Sequence, residues 1–347
     1  MSTKMKVNHL LLCAGFSLAL ASCDKDDNKI VVPPPSEGTT ITLNGGAGGA
    51  NAENSVFVDF STDKQDSAKR NGWDLAFSSG TDFRVLINNT TAATAKQINK
   101  TSLADVVAAD TVGFAGSLAL GQGAGTFGII DDVDGDLSKA VIAAISATES
   151  ENKIYILKPS NGMVSGVRDW YKIRIIRNGS NYRLQYAKLS ETAPNTIDVN
   201  KDAALNFKYV SLEANAAVTV EPAKANWDIE WTVATYKASP TIPYPYSDYV
   251  YINYLAGVTA AEVLTTTVSY DAYAEANIAA TTFTSNKVAI GGNWRSTQAP
   301  IGVKTDRFYV VKDGAGNVYK LRFISFHPSD GGVRGFPKIE YKLVKKA

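Results

Sequence analysis

Runs of alternating apolar and polar residues recur along the chain from about residue 40 onward, each closed by Gly, Asn, Asp or Pro. Successive side chains of a strand point to opposite faces, so a period of two predicts half-buried β-strands. The segments "VFVDF" (56–60), "WDLAF" (73–77), "FRVLI" (83–87) and "FPKIEYKLV" (336–344) read this way. "KIRIIRNGSNYRLQY" (172–186) and "FYVVKDGAGNVYKLRF" (308–323) add turn signals, Asn178-Gly179 and Asp313-Gly314, between two alternating arms, which predicts hairpins. Helix is scarce: only "ATAKQINKTSLADVV" (93–107) and "DLSKAVIAAISA" (136–147) are candidates for short helices, while Thr, Val and Tyr favour strand elsewhere. The expected class is mostly β.

The pattern also repeats. "GWDLAF" (72–77) returns as "NWDIEW" (226–231), each after an alternating run and a polar stretch, and each followed by a strand and a Thr-Ala-Ala segment. Tyr182, Leu184 and Tyr186 align with Tyr319, Leu321 and Phe323 at an offset of 137, whereas Trp73 and Trp227 are 154 apart. Unequal offsets fit a duplication whose loops have changed length. Two tandem antiparallel β lobes, 41–205 and 206–347, are therefore expected. Trp73 and Trp227 are expected as the core anchor of each lobe. "NFKYVSLEAN" (206–215) is a strand that both lobes can share. "KASPTIPYPYSD" (237–248) stands where "SSGTD" suffices in the first lobe; its prolines exclude it from a central strand, and it reads as an inserted loop.

The N-terminus follows a different pattern. Lys4 and Lys6 precede an apolar run from Leu10 to Ala21, too short to cross a bilayer and typical of a secretory signal. Leu20-Ala21-Ser22-Cys23 resembles the lipobox of bacterial lipoproteins, which implies a signal peptide over 1–22 and lipidation of Cys23. Residues 23–40, with an acidic cluster and Pro33 to Pro35, read as an extended disordered tether. The acidic patch resembles the export signal of lipoproteins displayed on the outer face of the outer membrane.

Cleavage changes the chemistry available. Cys13 leaves, Cys23 is consumed, and the mature chain keeps 33 basic and 34 acidic residues. No thiol remains for catalysis, metal or a disulfide, and a charge near zero argues against a nucleic-acid partner. "NGGAGGANAEN" (44–54) and "GQGAGTFG" (121–128) lack phosphate-loop spacing. In "DDVDGD" (131–136), Asp132, Asp134 and Asp136 mimic the start of an EF-hand loop, but Leu137 stands where Gly is required and Ala143 where Glu should be, so a solvated acidic turn is expected and no metal. No enzyme motif is present.

The order of Trp-Asp-Ile/Leu, "GGNW" at 291–294, the 308–323 hairpin and the closing "FPKIEYKLV" strand resembles the HmuY-type haem-binding lipoproteins, best from about Tyr209 onward. The resemblance implies haem capture, sometimes from host haemoproteins, delivery to an outer-membrane receptor, and two axial ligands from loops. The corresponding segments here, "SYDAYAEANIAATTFTSNK" (269–287) and "NWRSTQAPIGVKT" (293–305), contain neither His nor Met. Haem-ligand candidates are Tyr270 and Tyr273 by position, and Met163 and His327 by chemistry. Tyr244, Tyr246, Tyr249 and Tyr251 are candidates for a ligand surface of rigid amphipathic rings. A surface protein that recognises a glycan or a protein through that Tyr-rich segment is the alternative.

Overall fold

The alternating segments are strands in the computed structural model, which describes residues 33–121 and 123–347. The signal segment, Cys23 and the acidic stretch behind it lie outside the described residues. In chain order the strands are β1 (Thr40–Thr42), β2 (Asn54–Asp59), β3 (Lys64–Lys69), β4 (Leu75–Ser78), β5 (Val85–Ile87), β6 (Thr94–Ile98), β7 (Ile154–Lys158), β8 (Tyr171–Asn178), β9 (Asn181–Lys188) and β10 (Asn195–Val199). They continue as β11 (Phe207–Ser211), β12 (Ala216–Val218), β13 (Ile229–Ser239), β14 (Ile242–Ile252), β15 (Thr259–Leu264), β16 (Arg295–Ser296), β17 (Gly302–Val303), β18 (Arg307–Lys312), β19 (Val318–Ser325) and β20 (Lys338–Lys345).

The strands form two five-stranded sheets, β10-β9-β8-β7-β6 and β1-β20-β19-β18-β15, and two four-stranded sheets, β12-β11-β4-β5 and β14-β13-β2-β3, besides the short pair β16-β17. The pairings are antiparallel. Each four-stranded sheet packs one face on a five-stranded partner. Leu75, Phe77 and Val85 meet Ile173, Leu184 and Tyr186 in one core; Val56, Ile229 and Trp231 meet Val311, Tyr319 and Leu321 in the other. Burying such side chains stabilises by roughly 1.5–3 kcal/mol each.

The chain does not fill these sheets in sequence order. Position 205/206 falls between β10 and β11, yet β10 pairs with β9 and β11 with β4, so strands on both sides of it complete one sandwich. In return, β2 pairs with β13 and β1 with β20, so the N-terminal strands complete the other. β11 serves one sandwich alone, with β4 and β12 as its neighbours. Residues 35–347 are one compact unit.

The recurring Trp-Asp has a mechanical explanation here. The Asp74 N–H donates to the Val210 carbonyl (2.8 Å) and its Oδ2 accepts from the Leu212 N–H (2.8 Å). Likewise the Asp228 N–H donates to Val58 O (2.7 Å) and its Oδ2 accepts from Phe60 N–H (2.8 Å). Each aspartate thus clamps the neighbouring strand arriving from the other end of the chain, satisfying backbone groups just where the ladder begins.

Three local expectations change. Residues 94–98 are strand β6, paired with β7, and α-helix among the described residues of 93–147 is limited to Phe114–Ser117; the short helix expected at 136–147 is a 3-10 turn, Leu137–Lys139, followed by a segment without regular structure. Ile142 and Ile145 of that segment are buried in the first core, which an irregular run achieves as well as a helix. The segment 237–248 is not a loop but the end of the β13-β14 hairpin, with Pro243 opposite Lys237 and Pro245 opposite Thr235. β14 is an edge strand, the place in a sheet where proline is tolerated.

Candidate functional site

The second faces of the two four-stranded sheets enclose a cavity. On β13, Ile229 and Trp231 point into the core while Glu230 points the other way; on β2, Val56 and Val58 face the core and Phe57 turns out. The same alternation on β4 and β11 sends Leu75 and Val210 to the core and Ala76, Phe207 and Tyr209 outward. These outward side chains line a cleft that is partly open to solvent.

Trp73 and Trp227 both line this cavity. Each immediately precedes a strand-clamping aspartate, and β4 and β13 begin only two residues later, so neither indole inherits the core-facing parity of Leu75 or Ile229. Trp73 stands edge-on to Tyr209 (4.9 Å, 81°) and Trp227 edge-on to Phe57 (5.1 Å, 78°). They are 6% and 8% exposed, and neither Nε1 has a hydrogen-bond partner. The cavity wall is thus built twice from the same parts: both tryptophans are buried, as expected, but outside the two main cores, Trp73 in the smaller cluster of Ala76, Phe207 and Tyr209.

The two walls differ in polarity. Where the first sheet presents Ala76 and Leu86, the second presents Glu230 and Tyr251. The Lys287 ammonium lies 4.0 Å from the centre of the Tyr251 ring, a cation-π contact, and burial lowers its pKa. Asp131 enters from the acidic turn, its two carboxylate oxygens accepting from the backbone N–H groups of Ile87 (2.7 Å) and Val141 (2.9 Å). Glu221 accepts from Phe207 N–H (2.7 Å). Burial pushes both carboxyls up to about 7 and raises Glu230 as well.

"DDVDGD" is therefore more than a solvated turn. Asp132 Oδ1 accepts from the N–H groups of Asp134 and Asp136, both 3.0 Å, and the loop closes one side of the cavity. Gly135, at φ +97°, lets it approach Tyr254 and Lys287: a Cβ there would stand 3.0 Å from both. The Tyr254 hydroxyl donates to the Gly135 carbonyl (2.7 Å).

The haem-ligand candidates are scattered. Tyr270 and Tyr273 are 5% and 3% exposed and pack on Phe308, their rings 5.6 and 5.5 Å from it. The Tyr270 hydroxyl donates to Lys320 O (3.3 Å), and the Tyr273 hydroxyl pairs with Thr281 Oγ1 (2.6 Å). They are core residues of a satellite cluster, not open oxygen donors. Met163 packs against another cluster around Ile98 and Ile156. His327 caps the short turn Pro328–Asp330, its Nδ1 2.7 Å from Ser329 Oγ. None of the four lines the cavity.

The tyrosine set is divided. Tyr246 and Tyr249 pack with Tyr236 on the hairpin, Tyr236 and Tyr246 at 4.6 Å, and Tyr244 is 36% exposed. Tyr251 alone of the four reaches the cavity, where its hydroxyl accepts from Asn89 Nδ2 (2.9 Å). Sequence reasoning gave no site role to Asp131, Glu221, Glu230 or Lys287, which come from three separate stretches of the chain. For the tryptophans a signal existed, since the Trp-Asp string recurred in the same setting; its position just ahead of the strand, with the indole two residues before the first strand residue, was the missing fact.

Comparison with known proteins bears on one part of the chain. The family model of the HmuY protein matches residues 200–341; the expected HmuY-like first lobe, 41–205, lies almost wholly outside it. No curated protein matches the chain. A solved structure described as a HmuY-like heme-binding protein, from Bacteroides vulgatus, aligns over 90% of this chain and 94% of its own at 12% identity, with a TM-score of 0.19. Residues 200–341, which carry Trp227, Glu230, Tyr251 and Lys287 on one wall of the cavity, are thus similar to the HmuY family.

Proposed function

We propose that the chain is a non-catalytic binding protein, anchored through Cys23 to the outer membrane and facing the exterior, that captures a small ring-bearing ligand between Trp73 and Trp227. One observation carries this reading: two buried indoles from opposite sheets line one cavity, and neither ring nitrogen has a partner. A concave, mostly apolar site with a few convergent polar groups is what small-ligand binding requires.

Haem capture for iron acquisition, with delivery to an outer-membrane receptor, is the second reading, favoured by the HmuY similarity of residues 200–341. Haem iron takes axial nitrogen, sulfur or phenolate ligands. Among the described residues the cavity is lined by no His, Met or Cys. Its tyrosines are poor substitutes, because burial raises Tyr251 and Tyr254 above the ordinary phenol and disfavours the phenolate. The residues present do not fit iron ligation, and a porphyrin would be held without an axial ligand.

Titrating residues 24–347 with haem and with iron-free protoporphyrin, read by absorbance and tryptophan fluorescence, tests this. The expected outcome is that porphyrin binding, where it occurs, is the same with and without iron and is lost in Trp73→Ala and Trp227→Ala. A haem spectrum showing two side-chain ligands would remove the cavity as the haem site.

A further inference from the structure

We infer that the ligand of this cavity is a polyhydroxylated ring, a saccharide. The inference rests on the cavity being the binding site. Among the described residues six buried side-chain polar atoms lack a hydrogen-bond partner, and three of them belong to residues that line the cavity: Trp73 Nε1, Trp227 Nε1 and Thr235 Oγ1. The three residues are 6%, 8% and 3% exposed. A buried polar group without a partner is a standing cost, and three around one space mark what the occupant must supply.

The occupant has to meet opposite demands. The indole N–H groups need acceptors, while the carboxylates of Glu230, Glu221 and Asp131 on the same cavity are served by donors. Between them stand the ring faces of Phe57, Tyr209 and Tyr251, which require apolar surface. A porphyrin supplies the flat apolar surface, but its peripheral polar atoms are carboxylates, which can meet Lys287 and the indole N–H groups and offer no donor to Glu230, Glu221 or Asp131. An organic cation suits the acids and the rings and leaves both indole N–H groups unpaired. A sugar hydroxyl both accepts and donates, and the C–H face of a sugar ring is apolar, so one ring meets all three demands. The asymmetry of the walls fits as well: the Ala76 and Leu86 side offers the stacking surface, and the Glu230 side reads the hydroxyls.

The test is a titration of residues 24–347 with a panel of neutral hexoses, N-acetylhexosamines and their disaccharides, followed by calorimetry and tryptophan fluorescence, with protoporphyrin and tetramethylammonium in parallel. At least one saccharide is expected to bind saturably. Trp73→Phe and Trp227→Phe keep an aromatic ring and remove the N–H, and Thr235→Val removes the hydroxyl at nearly constant volume; each is expected to weaken binding about fivefold to tenfold with the cooperative unfolding transition retained. If no saccharide binds, or if the three variants leave saccharide affinity unchanged, the inference falls. Saturable protoporphyrin or tetramethylammonium binding that is lost in Trp73→Ala would overturn the saccharide while sparing the cavity. A saccharide bound equally by wild type, Trp73→Ala and Trp227→Ala would remove the cavity reading too.

Discussion

Asn88 and Asn253 perform the same task in the two halves of the fold. The Asn88 side-chain amide donates to the carbonyls of Trp73 (2.8 Å) and Arg70 (2.7 Å), and that of Asn253 to the carbonyls of Trp227 (3.0 Å) and Lys224 (2.9 Å). Both asparagines are buried, and each fixes the backbone from which an indole enters the cavity. Asn88→Ala and Asn253→Ala are each expected to cost about 1–3 kcal/mol, the penalty for stranding buried carbonyls. Urea unfolding should show lower midpoints at constant slope. Asn253→Asp should cost more than Asn253→Ala, since it turns a carboxylate oxygen toward the same carbonyls.

The two strand-clamping aspartates are not equally protected. Asp74 is held by both guanidinium nitrogens of Arg168, at 2.7 and 3.2 Å, with both side chains almost fully buried. Asp228 has no ion-pair partner among the described residues, and burial, followed by Asp313 and Asp59, raises its pKa well above the usual carboxylate range. Arg168→Met should destabilise by about 3–5 kcal/mol by leaving the buried Asp74 carboxyl without its partner, and Asp74→Asn should recover part of that loss in the double variant. Asp228→Asn should be the milder of the two single asparagine substitutions when stability is compared near neutral pH.

The cavity carboxyls set a pH dependence. Glu221 has a folded pKa of about 7 against an ordinary 4.5, so the folded state holds its proton more tightly than the unfolded chain. The stabilisation from that proton is complete below about pH 4 and is lost as pH rises through 7, amounting to at most about 3 kcal/mol. Glu221→Gln keeps the acceptor for Phe207 N–H. It should leave stability at pH 4 nearly unchanged and raise it relative to wild type at pH 8, measured by denaturant titration at both values.

Chain order and sheet order disagree, which makes a prediction about fragments. A cut at 205/206 takes β11 from β4 and leaves β13 without β2. Fragments 36–205 and 206–347 should each lack native near-ultraviolet dichroism alone and recover it when mixed. Independent cooperative melting of either fragment would contradict the strand exchange.

Much of the β architecture was legible in the sequence, because alternation is a local property: Tyr182, Leu184 and Tyr186 sit in the first core and Tyr319, Leu321 and Phe323 in the second, as their pattern requires. Tyr249 and Tyr251, two residues apart on β14, share one face, their rings 5.4 Å apart. The cavity was not legible for the opposite reason. Its walls come from β2, β4, β11 and β13 together, and the parity that sends Glu230 inward is fixed only once the sheet partner of β13 is known. The family likeness drew attention to Tyr270 and Tyr273, yet the Lys320 ammonium binds their carbonyls at 2.7 and 3.0 Å and ties that loop down as structure.

The exchange of strands has a consequence for how such a protein can change over generations. The stretch that matches HmuY, 200–341, gives β11 and β12 away to the other sandwich and borrows β1, β2 and β3 from the far end of the chain. What is inherited as a block of sequence and what folds as a block of structure differ by two strands given and three received. Neither half can be lost or traded without opening the sheets of the other. A new ligand therefore has to be acquired by altering the wall residues in place, with the two-sandwich frame kept intact around them.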